Sequence, residues 1–193
     1  MAELEYVPVD MLWDDLSKVP QYPLPEGYSM RVFRKGDADT WVRVEKAAEP
    51  FIKDMSGKTF DREFGQDLPA MPKRCLFLVS PDGRDVGTVT AWYDRKFAGK
   101  RWGRIHWVAI VPEFQGRKLC KPMLTVAMNR LRSLGHRRVT LNTQLLRIAA
   151  IKNYLDFGFR PDVRTAEALS TWRRFSQVLS HPLLDETLTS VSD

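Results

Sequence analysis

The sequence predicts a mixed α/β fold, and three segments carry that reading. Cys75 to Ser80 is an apolar run, Pro81-Asp82-Gly83 a turn, and Asp85 to Tyr93 its hairpin partner. Ile105 to Val111 is a second apolar run, which passes through a tight basic turn into an amphipathic stretch from Leu119 to Leu134. Arg138 to Thr143 and Arg147 to Phe157 then read as a strand followed by a helix. A chain of 193 residues suits one core. We expect an extended arm over residues 1–27 and a single domain over 28–193.

Taken in order, residues 1–27 hold prolines at positions 8, 20, 23 and 25, which block regular helix and ladder pairing. The arm is expected to hold one short helical piece around Asp10 to Ser17. Tyr28 to Arg34 alternates as a strand. Gly36-Asp37 punctuates, and Asp39 or Thr40 is placed to cap a helix reaching about Ala48, with Trp41, Val44 and Ala48 on one face. Phe60 to Leu68 reads as a short helix ended by Pro69 and Pro72. Pro122 fits only a first turn, so the long helix starts late, near Leu119 to Lys121. Gly135 and Gly158 end their helices. The spacing of Ala166, Leu169, Trp172 and Leu179 predicts a terminal helix over Thr165 to Leu179.

Composition excludes several function classes. There is no apolar run long enough to span a membrane, and Met1-Ala2-Glu3-Leu4-Glu5 has no signal-peptide pattern. Cys75 and Cys120 give no disulfide framework, so a reducing cytoplasm is the simplest location. The net charge is +6, yet the basic residues are scattered, from Arg101/Arg104 to Arg173/Arg174, without an aromatic-interleaved stripe. Neither nucleic acid nor a metal is expected as a partner, and a homodimer is left open.

The segment Val111-Pro112-Glu113-Phe114-Gln115-Gly116-Arg117-Lys118-Leu119-Cys120 is the most informative. A strand, a turn with glycine and basic residues, and a helix together make an anion site. The first helical turn leaves N–H groups unpaired, and the macrodipole adds positive charge there. Arg117 and Lys118 add full charges, so a phosphorylated ligand is expected. No Gly-Lys-Ser/Thr frame and no Gly-x-Gly-x-x-Gly is present, which argues against a P-loop and a nicotinamide dinucleotide.

This loop resembles the acetyl-CoA loop of the GCN5-related N-acetyltransferases, Gln/Arg-x-x-Gly-x-Gly/Ala. Gln115 stands first, Lys118 replaces the first glycine, and Cys120 the second small residue. Ala150-x-x-x-Tyr154-x-x-x-Gly158-Phe159 is similar to the family's other signature, in the expected order. The resemblance implies a central, mostly antiparallel sheet flanked by helices and splayed between its middle strands. It also implies acetyl-CoA as cosubstrate and direct transfer to a primary amine in a ternary complex. The family usually ends in a strand hairpin, which this sequence would have to shorten.

Acetyl transfer needs a neutral amine, a donor for the developing oxyanion, and a proton for the leaving thiolate. His106 falls where related arylalkylamine acetyltransferases place a strand histidine involved in proton removal. It is also flanked by Trp102, Ile105, Trp107 and Val108, as a packing residue would be. Glu45, Glu49 and Asp94 are alternative bases. Tyr154 matches the family tyrosine beside the CoA sulfur, or it is a core aromatic next to Ile151 and Leu155.

The resemblance gives the oxyanion donor to a strand amide within Val108, Ala109 and Ile110, exposed by a bulge. It gives CoA binding to Gln115, Gly116, Arg117, Lys118, Leu119 and Cys120. We expect Lys118 to take a helical φ and Cys120 to be a small packing residue rather than a nucleophile. Arg147 contacts CoA with Thr143, meets an acidic acceptor group, or caps its helix. The acceptor, a small or amino-acid-like amine or else a protein N-terminus or lysine, is expected against the arm and the segment Glu49 to Met71, with Phe51, Met55, Phe60 and Phe64. The alternative is a non-catalytic acyl-CoA-binding or regulatory module.

Overall fold

A computed structural model describes residues 6–95, 97 and 102–191. Met1 to Glu5, on which the signal-peptide reading rests, and Arg101 of the first basic group lie outside them. In chain order the strands are β1 (Pro8–Trp13), β2 (Ser29–Val32), β3 (Cys75–Val79), β4 (Asp85–Asp94), β5 (Trp102–Ile110), β6 (Val139–Gln144) and β7 (Arg160–Pro161). The helices are α1 (Ala38–Ala48), α2 (Gly57–Phe64), α3 (Met71–Arg74), α4 (Cys120–Ser133), α5 (Ile148–Phe157), α6 (Ala166–Ser176) and α7 (Pro182–Thr189). Among the described residues, no helix is long and apolar enough to cross a membrane. The mixed α/β class with mostly antiparallel pairing is therefore as the sequence predicts.

The chain forms two compact units. One runs from Leu16 to Arg137; the other joins the residues up to Asp15 with those from Arg138 onward.

In the first unit β2, β3, β4 and β5 pair successively, each antiparallel to the next. β3 is apolar on both faces because helices cover it, and Leu76, Phe77 and Leu78 are buried. Trp41 and Val44 of α1 lie fully buried, at the predicted spacing. With Phe33, Phe60, Phe64, Phe77 and Trp92, Trp41 builds an aromatic core, against which Trp107 packs. Trp41 meets Phe60, Phe64 and Trp107 edge-on, with centroids 5.1–5.5 Å apart.

Two details of this unit differ from the sequence reading. Asp37, not Asp39 or Thr40, is the N-cap of α1. Its carboxylate does not cap the helix but receives the Arg31 guanidinium, at 2.6 and 3.1 Å. Arg31 also reaches Asp85 twice at 2.7 Å and lies 4.4 Å over the Phe77 ring, so one cation ties β2, β4 and the start of α1. Pro69 and Pro72 do not end the helical stretch. Pro69 sits in a 3-10 segment after α2, and Pro72 in the first turn of α3, where the missing N–H costs nothing.

In the second unit β1 lies between β6 and β7, antiparallel to both. The expected helical piece at Asp10 to Ser17 is thus a strand through Trp13, followed by a 3-10 turn over Leu16–Lys18. Its alternation, with Val9 and Met11 buried, is the strand signal. After Gly158 the chain makes only the two-residue β7, and then α6 and α7. The terminal hairpin is absent among the described residues, and the partner of β7 comes from the N-terminal arm.

Gly158 meets two demands here. It takes φ 117° as the C-cap of α5, and a Cβ on it would stand 2.8 Å from the Trp13 ring.

Candidate active site

β5 carries a bulge. Thr88 pairs with Ala109 and Thr90 with His106, so two steps along β4 face three along β5. The extra residue lies at Trp107–Val108, and Trp107 takes φ 48°. Gly87, paired with Ile110 further along, is needed bare, since its Cβ would stand 2.9 Å from the Ala109 carbonyl. The bulge thus falls in the stretch expected to expose an amide, next to His106.

His106 is half-buried, with the Phe64 and Trp107 rings edge-on at 5.8 and 6.0 Å. Its Nε2 stands 3.2 Å from Glu63 Oε2 on α2. The same oxygen accepts the Trp107 indole N–H at 3.1 Å, and Arg62 donates to Glu63 Oε1 at 3.1 Å. Hydrogen bonding from His106 first, then from Trp107 and Arg62, holds the Glu63 carboxyl down at about 2 against the cost of burial. Burial pushes the His106 imidazole below its usual 6.5; Glu63 and Asp94 oppose this, and Arg104 adds to it. At neutral pH the ring is therefore uncharged. With Nε2–H donated to a carboxylate, Nδ1 keeps the lone pair that accepts a proton.

Glu63 escaped the sequence reading. The available signal was its place on α2, three residues after Phe60 and one before Phe64, both buried. A carboxylate flanking an apolar face needs a partner.

The alternative bases lie on α1, just after it and at the end of β4, where Asp94 acts on the His106 charge. Glu45 is buried on α1 at 3% exposure. Glu49 accepts the Phe51 N–H at 2.7 Å. Asp94 accepts from the Phe97 N–H at 3.0 Å and lies 3.8 Å from Arg104.

The loop after β5 is a short 3-10 turn, Pro112–Phe114, then Gln115 to Leu119, then α4. Gln115 donates to the Ile110 carbonyl at 2.8 Å. Arg117 donates to the Glu113 carbonyl at 2.9 Å and lies 4.6 Å over Phe114. Gly116 takes φ 74° and Lys118 φ 59°.

The expected helical φ at Lys118 is thus wrong. The position keeps the left-handed backbone that a glycine would supply, and lysine adopts it at a cost. Leu119 is buried. α4 begins at Cys120, as the position of Pro122 requires. Its first internal hydrogen bond runs from Met123 to Leu119, which leaves the Cys120 and Lys121 amides ahead of the ladder. Burial pushes the Cys120 thiol up to about 12, overriding Lys121, so it is no nucleophile at neutral pH.

Tyr154, on α5 of the other unit, is 8% exposed and meets Phe159 edge-on at 6.1 Å. Arg147 is the N-cap of α5 and donates to the Gln144 side chain. Thr143 is buried on β6. The structure therefore brings His106, the bulge and the loop together in one unit, and places Tyr154, Thr143 and Arg147 in the other.

A model described as "Acetyltransferase (GNAT) family" matches residues 40–159. Among curated proteins, the mycothiol acetyltransferase of Pseudarthrobacter chlorophenolicus is 30% identical over 172 residues, 82% of this chain and 52% of its own. The chain spans about half the length of the curated relatives it matches. Among solved structures, a GCN5-related N-acetyltransferase from Sphaerobacter thermophilus has TM-score 0.62 at 24% identity, covering 81% of this chain and 50% of that one. The enzyme AAC(6')-Iy, solved with a bisubstrate analogue, CoA-S-monomethyl-acetylneamine, has TM-score 0.54 at 16% identity, covering 72% and 94%. These two likenesses show the fold.

Proposed function

The chain belongs to the acetyltransferase (GNAT) family, and on that premise we propose that it moves an acetyl group from acetyl-CoA to a primary amine by direct transfer in a ternary complex. The observation that carries this is the neutral, carboxylate-paired His106 beside the bulge, in the strand that leads into the cationic loop.

The residues present fit the cosubstrate. The Gln115–Cys120 turn has two left-handed positions, exposes Arg117 and Lys118, and leads into first-turn amides that lie ahead of the helical ladder. Gln115, Gly116, Arg117, Lys118, Leu119 and Cys120 would hold the pyrophosphate, and Val108, Ala109 and Ile110 would pair with the pantetheine arm as an added strand does. Bound acetyl-CoA supplies an activated acyl group.

His106 Nδ1 takes the proton that makes the amine nucleophilic. A backbone amide within Val108, Ala109 and Ile110, beside the bulge, donates to the negative charge that develops on the acyl oxygen. Tyr154 gives its phenolic proton to the departing thiolate, whose basicity is not far from its own. Arg147 contacts the cosubstrate or an acidic group of the acceptor. The relatives bear the name mycothiol acetyltransferase, which supports a small-molecule acceptor over a protein.

The test is thiol release from acetyl-CoA against a panel of primary amines. The expected result is amine-dependent release that falls by about 10²–10⁴-fold in His106→Ala and clearly in Tyr154→Phe, with acetyl-CoA affinity retained. Full rate in both variants would overturn the catalytic assignments. Binding without release for any amine would favour the non-catalytic module.

A further inference from the structure

Consecutive side chains on a strand point to opposite faces. His106 and Trp107 do not: both donate to one oxygen, Glu63 Oε2, at 3.2 and 3.1 Å. Only the bulge permits this, because the left-handed turn at Trp107, φ 48°, swings its indole to the side already taken by His106. The second carboxylate oxygen is held by Arg62 at 3.1 Å, so the receiving group is fixed from both ends. α2 therefore reaches the base and the bulge through one side chain.

We propose that Glu63 is a positioning residue for acetyl transfer, holding His106 in the tautomer with Nδ1 free and, through Trp107, holding the bulge beside which an amide of Val108, Ala109 or Ile110 serves the developing oxyanion. The proposal rests on the reading of His106 as base. It adds a third participant and a division of labour. The link to His106 sets when the base is available, and the link to Trp107 sets how well the oxyanion donor is aimed. The proton taken from the amine rests on Nδ1, and the imidazolium that results faces an ionised carboxylate until it returns the proton to solvent. The charged groups acting on His106 are Glu63 from α2, Arg104 from β5 itself and Asp94 from β4.

The experiment combines two measurements on the whole chain. Nitrogen-15 spectra of labelled histidine follow the rings directly, and with three histidines in the chain His106→Gln assigns the signal. They need no substrate. Wild type should show Nε2 protonated and Nδ1 free. Glu63→Gln should lose that tautomer preference and titrate at lower pH, because the charge that favours the imidazolium is gone.

In turnover, Glu63→Gln should lower kcat about 10–100-fold and move the acid limb of kcat/KM down with the spectral midpoint. Trp107→Phe should lower kcat while leaving that limb in place. A wild-type ring protonated on Nδ1, or a Glu63→Gln chain with unchanged tautomer and acid limb, would overturn the proposal. So would a Trp107→Phe chain with full kcat. A wild type that shows the Glu63-dependent tautomer but turns over no amine would instead overturn the functional reading beneath it, which separates the two failures.

Discussion

Lys118 holds φ 59° where its family relatives would place glycine. A side chain in that region costs about 1–2 kcal/mol, and glycine gives back about 0.5–1 kcal/mol as chain entropy. Lys118→Gly should therefore stabilise the fold slightly, raising Tm by about 1–4 °C, while weakening acetyl-CoA binding through the lost cation. Thermal melts and a binding titration of the same variant check both directions. Cys120 should resist alkylation at pH 8, with its thiol pushed up to about 12. Thiol labelling of native and unfolded chain should differ strongly in rate. The identity of each loop residue was legible in the sequence, but the backbone at Lys118 was not. Lysine prefers negative φ, and the turn overrode that preference. Glu63 was missed for a different reason: its role comes from α2 meeting β5, which no local pattern encodes.

At the scale of elements, β1 and the bulge decide most. The sequence marked the arm as extended because of its prolines but gave it no partner. Strand pairing between Pro8–Trp13 and Val139–Gln144 spans most of the chain, and periodicity is blind to such distances. The absence of the hairpin among the described residues fits the same pairing, since β1 is the strand against which β7 lies. Gly158 shows how a motif residue serves this arrangement. Gly158→Ala would push a methyl group into Trp13 at a left-handed backbone position and should cost about 2–4 kcal/mol. Denaturant midpoints would show it, and Trp13→Ala in the same chain should remove the steric part. In the other unit, Arg31→Met leaves Asp37 and Asp85 without their shared cation and should cost about 2–4 kcal/mol, read in the same way. The helices from hydrophobic spacing, α1, α4 and α5, were legible within a residue or two because each buries one clear face.

For the whole molecule, pH dependence joins stability to activity. Glu63 is depressed to about 2 on folding, so its contribution to stability is present above the unfolded carboxylate range and is lost as pH falls toward 2. His106 is depressed below 6.5, so the unfolded chain binds its proton more readily, and folding weakens as pH drops through that window. The same sign governs the rate: the acid limb attributed to His106 should lie below 6.5 in kcat/KM profiles. The family signatures were read from the C-terminal half alone, whereas the mixed α/β class also drew on the hairpin from Cys75 to Tyr93. The acceptor was not legible, and Met55, Phe60 and Phe64, expected to face it, lie buried in the core.

The most direct test of the central claim is a calorimetric titration of the chain with acetyl-CoA, with 3′-dephospho-acetyl-CoA and an Arg117→Ala/Lys118→Ala chain as controls. The account predicts micromolar binding, with a dissociation constant at least about tenfold weaker in the double variant, equal to the loss of about 1.4 kcal/mol. No binding by the wild-type chain, or equal binding by the double variant, would contradict it.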